Sequence, residues 1–243
     1  MSVHSRPGQP YGHDLDLSDP AEIERRSMAI IEAEAPKPIP FSEVEWPIVR
    51  RMIHTTADFE LLRLTRFHAE AACAGIAALR SGALVVTDTR MALAGIPIRR
   101  LEALGCRKLC LMEDPRVVQR AKAEGITRAM AAVDLALDLR TEFAAEAPLV
   151  FVIGNAPTAL VRLVRRLAAM ESANGLPVAL IVGMPVGFVN AAESKELLVQ
   201  ASPAPWITVT GRKGGSPLAA SAVNALAELA LERASVDQGI VQT

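Results

Sequence analysis

Five short apolar runs, each followed by a stretch of helical character, limit most strongly how this chain can fold. Their side chains are apolar without alternation, which is typical of strands buried on both faces of a sheet. The runs occupy residues 83–87, 108–112, 149–153, 178–182 and 206–210. Strands that alternate with helices pair in parallel. We therefore expect an α/β fold, a three-layer α/β/α arrangement with a mainly parallel five-stranded sheet.

The N-terminal part predicts helices that pack alongside this sheet. Asp19 before Pro20 is a typical helix start. Ser42 and Glu45 have the spacing of a capping box for a second helix, and Pro47 in its first turn should disturb one hydrogen bond. Further helices are predicted at 68–80, near 92, and at 116–123, 127–144, 158–172, 191–200 and 217–233.

The chain predicts a single domain with two extensions. Residues 1–18 are polar and are expected to form a flexible N-terminal arm, and residues 234–243 a flexible C-terminal tail. The single α/β domain would then span residues 19–233. No internal repeat interrupts it.

Charge and cysteine content exclude several classes of partner. A net charge of −1, from 26 basic and 27 acidic residues, argues against a nucleic-acid binder. The longest apolar stretch, at 177–189, is broken by Gly183, Pro185 and Gly187 and is too short to span a bilayer. Three cysteines make no disulfide framework, so a reducing cytoplasm is the expected compartment, and a metal site at the cysteines is not indicated.

Polar and glycine-rich segments follow all five predicted strands, at 88–91, 113–116, 154–158, 183–187 and 211–216. The carboxyl ends of parallel strands share one edge, where ligands bind. Glycines let backbone N–H groups approach an anion, and Arg212 and Lys213 add positive charge. This edge therefore suits a carboxylate or a phosphate. The alternative is that the glycines serve only tight turns.

A histidine in the second helix is a candidate for proton transfer. At helical spacing, Arg50, His54 and Asp58 share one face, so Asp58 could orient the imidazole. A purely structural histidine fits the same spacing.

These segments resemble the precorrin-8X methylmutase family of cobalamin biosynthesis. The most specific parts are G-N-A-P-T-A-L at 154–160 and G-M-P-V-G-F-V at 183–189. The resemblance runs from residue 23 through the last predicted helix. Supporting matches lie at 23–31, 51–54, 87–91, 95–96, 114–116, 125–129, 190–195 and 211–216. The sequence departs from the family's pattern in the N-terminal arm and beside Ser27.

The resemblance implies an isomerase that moves a methyl group from carbon 11 to carbon 12 of precorrin-8X, or of cobalt-precorrin-8. The product would be hydrogenobyrinate or cobyrinate, and no cofactor and no metal site are expected. His54 matches the family's catalytic histidine, an acid beside ring C. The implied substrate-binding residues are Ser27, Arg51, Thr87, Asp88, Met91, Arg116, Arg128, Gly154, Asn155, Gly183, Gly187, Lys195, Arg212, Gly214, Gly215 and Ser216.

The resemblance also implies partners. A corrinoid tetrapyrrole is the expected ligand, a homodimer is expected to complete the cleft, and the product could be handed to the next pathway enzyme. Neither nucleic acid nor membrane is expected. One alternative is a non-catalytic corrinoid-binding carrier, which would use the same loops but not His54. A second alternative is a nucleotide- or phosphometabolite-binding enzyme. The absence of the Walker and G-x-G-x-x-G patterns argues against it.

Overall fold

A six-stranded, mostly parallel sheet organises the chain in its computed structural model, which describes residues 18–138, 147–170 and 178–240. The strands stand in the order β1-β6-β5-β4-β2-β3. Their bounds are Thr65–Phe67 for β1, Leu84–Thr87 for β2, Arg107–Leu109 for β3, Leu149–Ile153 for β4, Val178–Gly183 for β5 and Trp206–Val209 for β6. The predicted α/β class and mainly parallel sheet are confirmed.

The helices follow the predicted alternation. Their bounds are Pro20–Glu34 for α1, Trp46–Thr56 for α2, Leu61–Leu64 for α3, Ala71–Arg80 for α4, Arg90–Gly95 for α5, Ile98–Ala103 for α6, Pro115–Glu124 for α7, Arg128–Asp138 for α8, Pro157–Met170 for α9, Ala191–Ala201 for α10 and Ser216–Ile240 for α11. Among the described residues, no helix combines the length and the apolar character needed to cross a membrane.

Strand β1 was missed by the sequence analysis. It follows the single-turn helix α3 and pairs antiparallel with β6, where Thr65 lies opposite Val209. Three residues are too few to show a strand periodicity. The sheet therefore has six strands. The prediction of five strands was wrong because it lacked this edge strand.

Two helical layers cover the sheet, as predicted. On one face, α1, α2, α4, α6 and α11 bury apolar side chains against strand residues such as Val150 and Leu180. On the other face, α7, α8, α9 and α10 pack against residues such as Phe151 and Ile181. Consecutive strand residues point to opposite faces, so each strand supplies both cores, and this explains why the runs are continuously apolar.

The starts of the first two helices follow from local hydrogen bonds. Asp19 accepts the backbone N–H of Ala21, which caps α1. The capping box forms, because Ser42 donates its N–H to Glu45 and Glu45 donates its N–H to the Ser42 hydroxyl. It closes a turn ahead of α2, which places Pro47 at the helix start, where no hydrogen bond is broken. The predicted disturbance at Pro47 was wrong.

Some predicted boundaries differ from the structure. Helix α11 continues to Ile240, past the predicted end at 233, so the first part of the predicted flexible tail is helical. The arm at 1–17, the predicted ends of α8 and α9, and residues 241–243 lie outside the described residues. The division into arm, domain and tail stays a prediction.

Candidate active site

His54 lies in the last turn of α2, half-buried, in a groove between α1 and α2. The groove has a volume of ≈ 430 Å³ and also contains Ser27, so two predicted site residues meet here. Its lining is mainly apolar, with Glu34 as its carboxylate. The lining residues are Ser27, Ile30, Ile31, Glu34, Ile53, His54, Ala57 and Phe59.

The end of α2 is tied to the sheet. Ala57 ends the helix in a left-handed conformation, and Asp58 then accepts hydrogen bonds from the Lys213 ammonium and the Glu60 N–H. Lys213 belongs to the loop that follows β6. The helix that carries His54 is therefore joined to the carboxyl edge of the sheet. Asp58 has Lys213 rather than His54 as its side-chain partner, so the prediction that it orients the imidazole was wrong.

Arg51 joins three helices. Its guanidinium donates to both carboxylate oxygens of Glu228 on α11, at 2.8 and 2.9 Å, and forms an ion pair with Glu24 on α1. Hydrogen bonding to Arg51 holds the pKa of Glu24 below its ordinary value, and the charges of Arg51 and His54 add to this effect. Two carboxylates of its own chain thus hold Arg51, which fixes α2 against α1 and α11 beside the groove.

Asp88, at the tip of β2, occupies the anion cradle that the sequence predicted for substrate. Its buried carboxylate accepts the backbone N–H groups of Gly154 at 3.0 Å, Asn155 at 2.8 Å and Ala156 at 2.7 Å. Burial raises the pKa of Asp88, and these three donors oppose that rise. The predicted use of the Gly154 and Asn155 amides for a substrate carboxylate is therefore corrected, because an internal carboxylate takes both.

Glycines at the strand tips allow the loops to touch main chain to main chain. A Cβ on Gly154 would lie 2.6 Å from the Cα of Ser216. A Cβ on Gly214, whose φ is +158°, would lie 2.2 Å from the carbonyl oxygen of Met184. The N–H of Gly215 donates to that same carbonyl at 2.9 Å. These predicted site glycines pack the loops after β4, β5 and β6 against each other.

Other predicted site residues also have internal partners. Buried Thr87 donates its hydroxyl to the Thr89 carbonyl at 3.0 Å, and the Ser216 hydroxyl pairs with that of Thr89 at 2.7 Å. Gly183 lies inside the core, where a Cβ would meet Leu160 and Leu198. The Gly187 N–H donates to the Arg212 carbonyl at 3.2 Å.

Lys195 is buried beneath the strand-tip loops. It is 2% exposed, and its ammonium donates to the Lys213 carbonyl at 2.6 Å. Burial lowers the pKa of Lys195 from 10.5 to about 8. The side chain therefore supports the loop after β6 from below.

The depressed pKa of Lys195 makes stability depend on pH. Below about pH 8 the amine is charged in both the folded and the unfolded chain, so the full cost of burying it opposes folding. Between the folded pKa of about 8 and the unfolded value of 10.5, the folded chain binds fewer protons, so the free energy of unfolding rises with pH. We expect wild type to gain about 2 kcal/mol over Lys195→Met between about pH 8 and pH 10 in urea unfolding. A difference that does not change with pH would contradict this.

An apolar surface remains exposed at the carboxyl edge. We call Met91, Val186, Phe188 and Val189 the strand-tip platform; they are 66%, 44%, 83% and 77% exposed. The guanidinium carbon of Arg212 lies 5.4 Å from the centroid of the Phe188 ring. Only Met91 and Arg212 of this group were predicted as site residues. The predicted site residues do not include Val186, Phe188 or Val189, although apolar residues in a loop directly after a strand are a usable signal of an exposed surface.

The remaining predicted arginines lie at helix starts along the same edge. Arg128 is exposed as the first residue of α8. Arg116 donates to Asp114, the residue that caps α7, at 2.9 Å. Within the described ranges, no group of three or more histidine, cysteine, aspartate or glutamate side chains could hold a metal ion.

Matches to known proteins identify the family of this chain. The model of the family described as precorrin-8X methylmutase matches residues 22–229. The chain belongs to the precorrin-8X methylmutase family. It is 44% identical over 214 residues to a cobalt-precorrin-8 methylmutase of Salmonella typhimurium, covering 86% of this chain and 95% of the relative. It is 41% identical over 213 residues to a precorrin-8X methylmutase of Sinorhizobium sp., covering 87% and 95%.

A solved precorrin-8X methylmutase of Thermus thermophilus has a similar fold. Its TM-score is 0.78 at 44% identity, and the match covers 87% of this chain and 97% of that one. As a member of the precorrin-8X methylmutase family, this chain is an isomerase of cobalamin biosynthesis that moves a methyl group within its substrate. None of these matches supports a corrinoid carrier.

Proposed function

We propose that this chain moves the methyl group on carbon 11 of precorrin-8X, or of cobalt-precorrin-8, to carbon 12, with His54 as the acid. The product is hydrogenobyrinate or cobyrinate. The observation that carries the proposal is the strand-tip platform with Arg212 over Phe188, on loops joined to the helix of His54. Both substrate names occur among the relatives, and the chemistry below is common to both.

The platform fits a macrocycle with an apolar face and a carboxylated rim. Exposed large apolar side chains on one edge of a sheet indicate a binding surface, as we propose for Met91, Val186, Phe188 and Val189. Strands β5 and β2 are separated by β4, so their tips stand about 10 Å apart, wide enough for part of a tetrapyrrole. Arg212 at the side of this surface supplies a charge-assisted donor for one carboxylate. Because Asp88 fills the backbone cradle after β4, the Gly154 and Asn155 amides do not bind the other carboxylates.

His54 supplies the chemistry that the ring needs. A methyl shift of this type forms no bond between protein and substrate, but it requires one fixed ring geometry and a change in the electronic state of the macrocycle. His54 donates a proton or a strong hydrogen bond to ring C, and a donated proton returns to it after the shift. The groove is open, so exclusion of water from this step depends on what covers the bound substrate.

A second copy of the chain completes the site. Within one chain, the residues that line the His54 groove come from α1, α2 and the turn after α2, whereas the platform residues follow β2 and β5. We propose a cytoplasmic homodimer in which a neighbouring chain covers the substrate between these surfaces. Sedimentation of the purified wild-type protein should therefore give twice the mass of the 25.9 kDa chain.

Substitutions on the platform test the binding surface. Arg212→Gln and Phe188→Ala should each raise the Kd of hydrogenobyrinate about tenfold, because each removes a contact worth about 1.5 kcal/mol. Ile98→Ala is the control, an apolar residue that is 50% exposed but lies on α6. Absorbance titration of the corrinoid measures all three affinities. Wild-type affinity in both platform variants would contradict the proposed site.

A further inference from the structure

Two lysine side chains, those of Lys195 and Lys213, connect the loop after β6 to other parts of the chain. Lys195 donates from below to the carbonyl oxygen of Lys213, at 2.6 Å. The side chain of Lys213 extends the other way and forms ion pairs with Asp58 and Glu60, just beyond the helix of His54. Its neighbour Arg212 lies over Phe188. Adjacent residues of one loop thus reach the platform and the histidine helix.

The ion pairs of Lys213 contribute little to folding. The side chains of Lys213, Asp58 and Glu60 are 46%, 31% and 39% exposed, and ion pairs at such exposure have small effects on stability. Hydrogen bonding to Lys213 nevertheless lowers the pKa of both carboxyls, so Lys213, Asp58 and Glu60 are linked, and Glu60 also pairs with the exposed Arg63. These ion pairs add little to the free energy of folding, but they join two parts of the proposed site. Such a group is suited to positioning.

We propose that Lys213 is a positioning residue that locks the His54 helix to the substrate-binding loop, an inference that rests on the proposed function. Lys213 itself contacts no substrate. It acts through Asp58 and Glu60, which fix where α2 ends and therefore where the imidazole stands relative to a ring held on the platform. A small displacement of an acid from its target slows the reaction without weakening binding.

The test separates kcat from substrate binding. In Lys213→Met, kcat should fall about tenfold, while KM and the Kd of hydrogenobyrinate stay within about threefold of wild type. Lys213→Arg keeps the charge and should restore kcat to within about threefold. Lys122→Met is the control, an exposed lysine on α7 that should leave kcat unchanged.

The partner side gives an independent readout. Asp58→Asn/Glu60→Gln leaves the loop side chains intact and should lower kcat as much as Lys213→Met. Because the three residues act as one unit, combining all substitutions should lower kcat no further than either set alone. This second set also keeps the proposal testable if Lys213→Met folds poorly, which urea unfolding of every variant would reveal.

Several results would overturn the proposal. One is a wild-type kcat in Asp58→Asn/Glu60→Gln. Another is a loss of kcat in the variant with all three substitutions that equals the sum of the separate losses. A raised KM with unchanged kcat in Lys213→Met would instead make Lys213 a substrate contact. His54→Gln is assayed in parallel. Wild-type turnover of that variant would refute the acid role, whereas an inactive His54→Gln beside a fully active Lys213→Met would refute the positioning role alone.

Discussion

Replacing His54 with glutamine should lower kcat of the methyl shift about 10²–10⁴-fold, the usual contribution of a positioned acid. Glutamine has a similar reach, but its neutral amide can neither transfer a proton nor donate as strong a hydrogen bond as the acid proposed here. His54 is half-buried in an open groove, so the variant should fold normally and bind hydrogenobyrinate within about threefold of wild type. Carbon NMR of the product, which reports whether the methyl sits on carbon 11 or 12, measures the turnover.

His68→Gln is the matched control for this experiment. His68 lies outside the groove, where its ring packs against Trp206 with centroids 6.2 Å apart. Its replacement should leave kcat within about twofold, because it has no place in the proposed reaction. Turnover by His54→Gln within about threefold of wild type would end the proposed acid role. The chain would remain a methylmutase, and another group would have to supply the proton.

Replacing Asp88 with alanine should lower the free energy of unfolding by about 3–5 kcal/mol, since it leaves three backbone donors without their acceptor in a buried place. The side chain is 6% exposed, so water cannot readily replace it. Asp88→Asn keeps one acceptor oxygen and should have a smaller effect. Urea unfolding followed by circular dichroism gives the values.

Asp19→Ala provides the comparison for Asp88. Asp19 is also a capping carboxylate, but it is exposed and accepts a single N–H, from Ala21. Its loss should cost about 1 kcal/mol. Equal effects at both positions would show that Asp88 serves as an ordinary cap rather than as the group that joins β2 to the loop after β4.

The sheet could be predicted from sequence because its strands are buried on both faces. A continuous run such as 149–153 contributes to both cores at once, and that pattern is visible without a structure. Strand β1 has three residues and lies at the edge, so no comparable pattern exists. Its presence depends on pairing with β6, a contact between residues far apart in the chain.

The sequence predicts a site at the strand tips, but the contacts of individual residues there could not be predicted. Sequence alone puts Asp88 and Gly154 at strand tips, and the family resemblance predicts that both bind the substrate. Their contact depends on β2 and β4 being neighbours, which strand order alone decides. Lys195 was expected to meet a substrate carboxylate, yet helix α10 turns it inward to a carbonyl of its own chain. Whether the side chain of one helix residue faces the interior or the solvent depends on how the helix packs. Residue type alone does not reveal it.

The contact between the main chains of the three loops has a consequence for how this enzyme could change its ligand. A side chain at Gly154 or Gly214 would push neighbouring loops apart, since neither position leaves space for even a methyl group. On the proposed platform, adaptation to corrinoids with a different periphery is therefore expected at outward positions such as 188, 189 and 212 rather than at these glycines. The backbone of the three loops beneath these positions has to be kept as one unit, because the loops contact each other through their main chains.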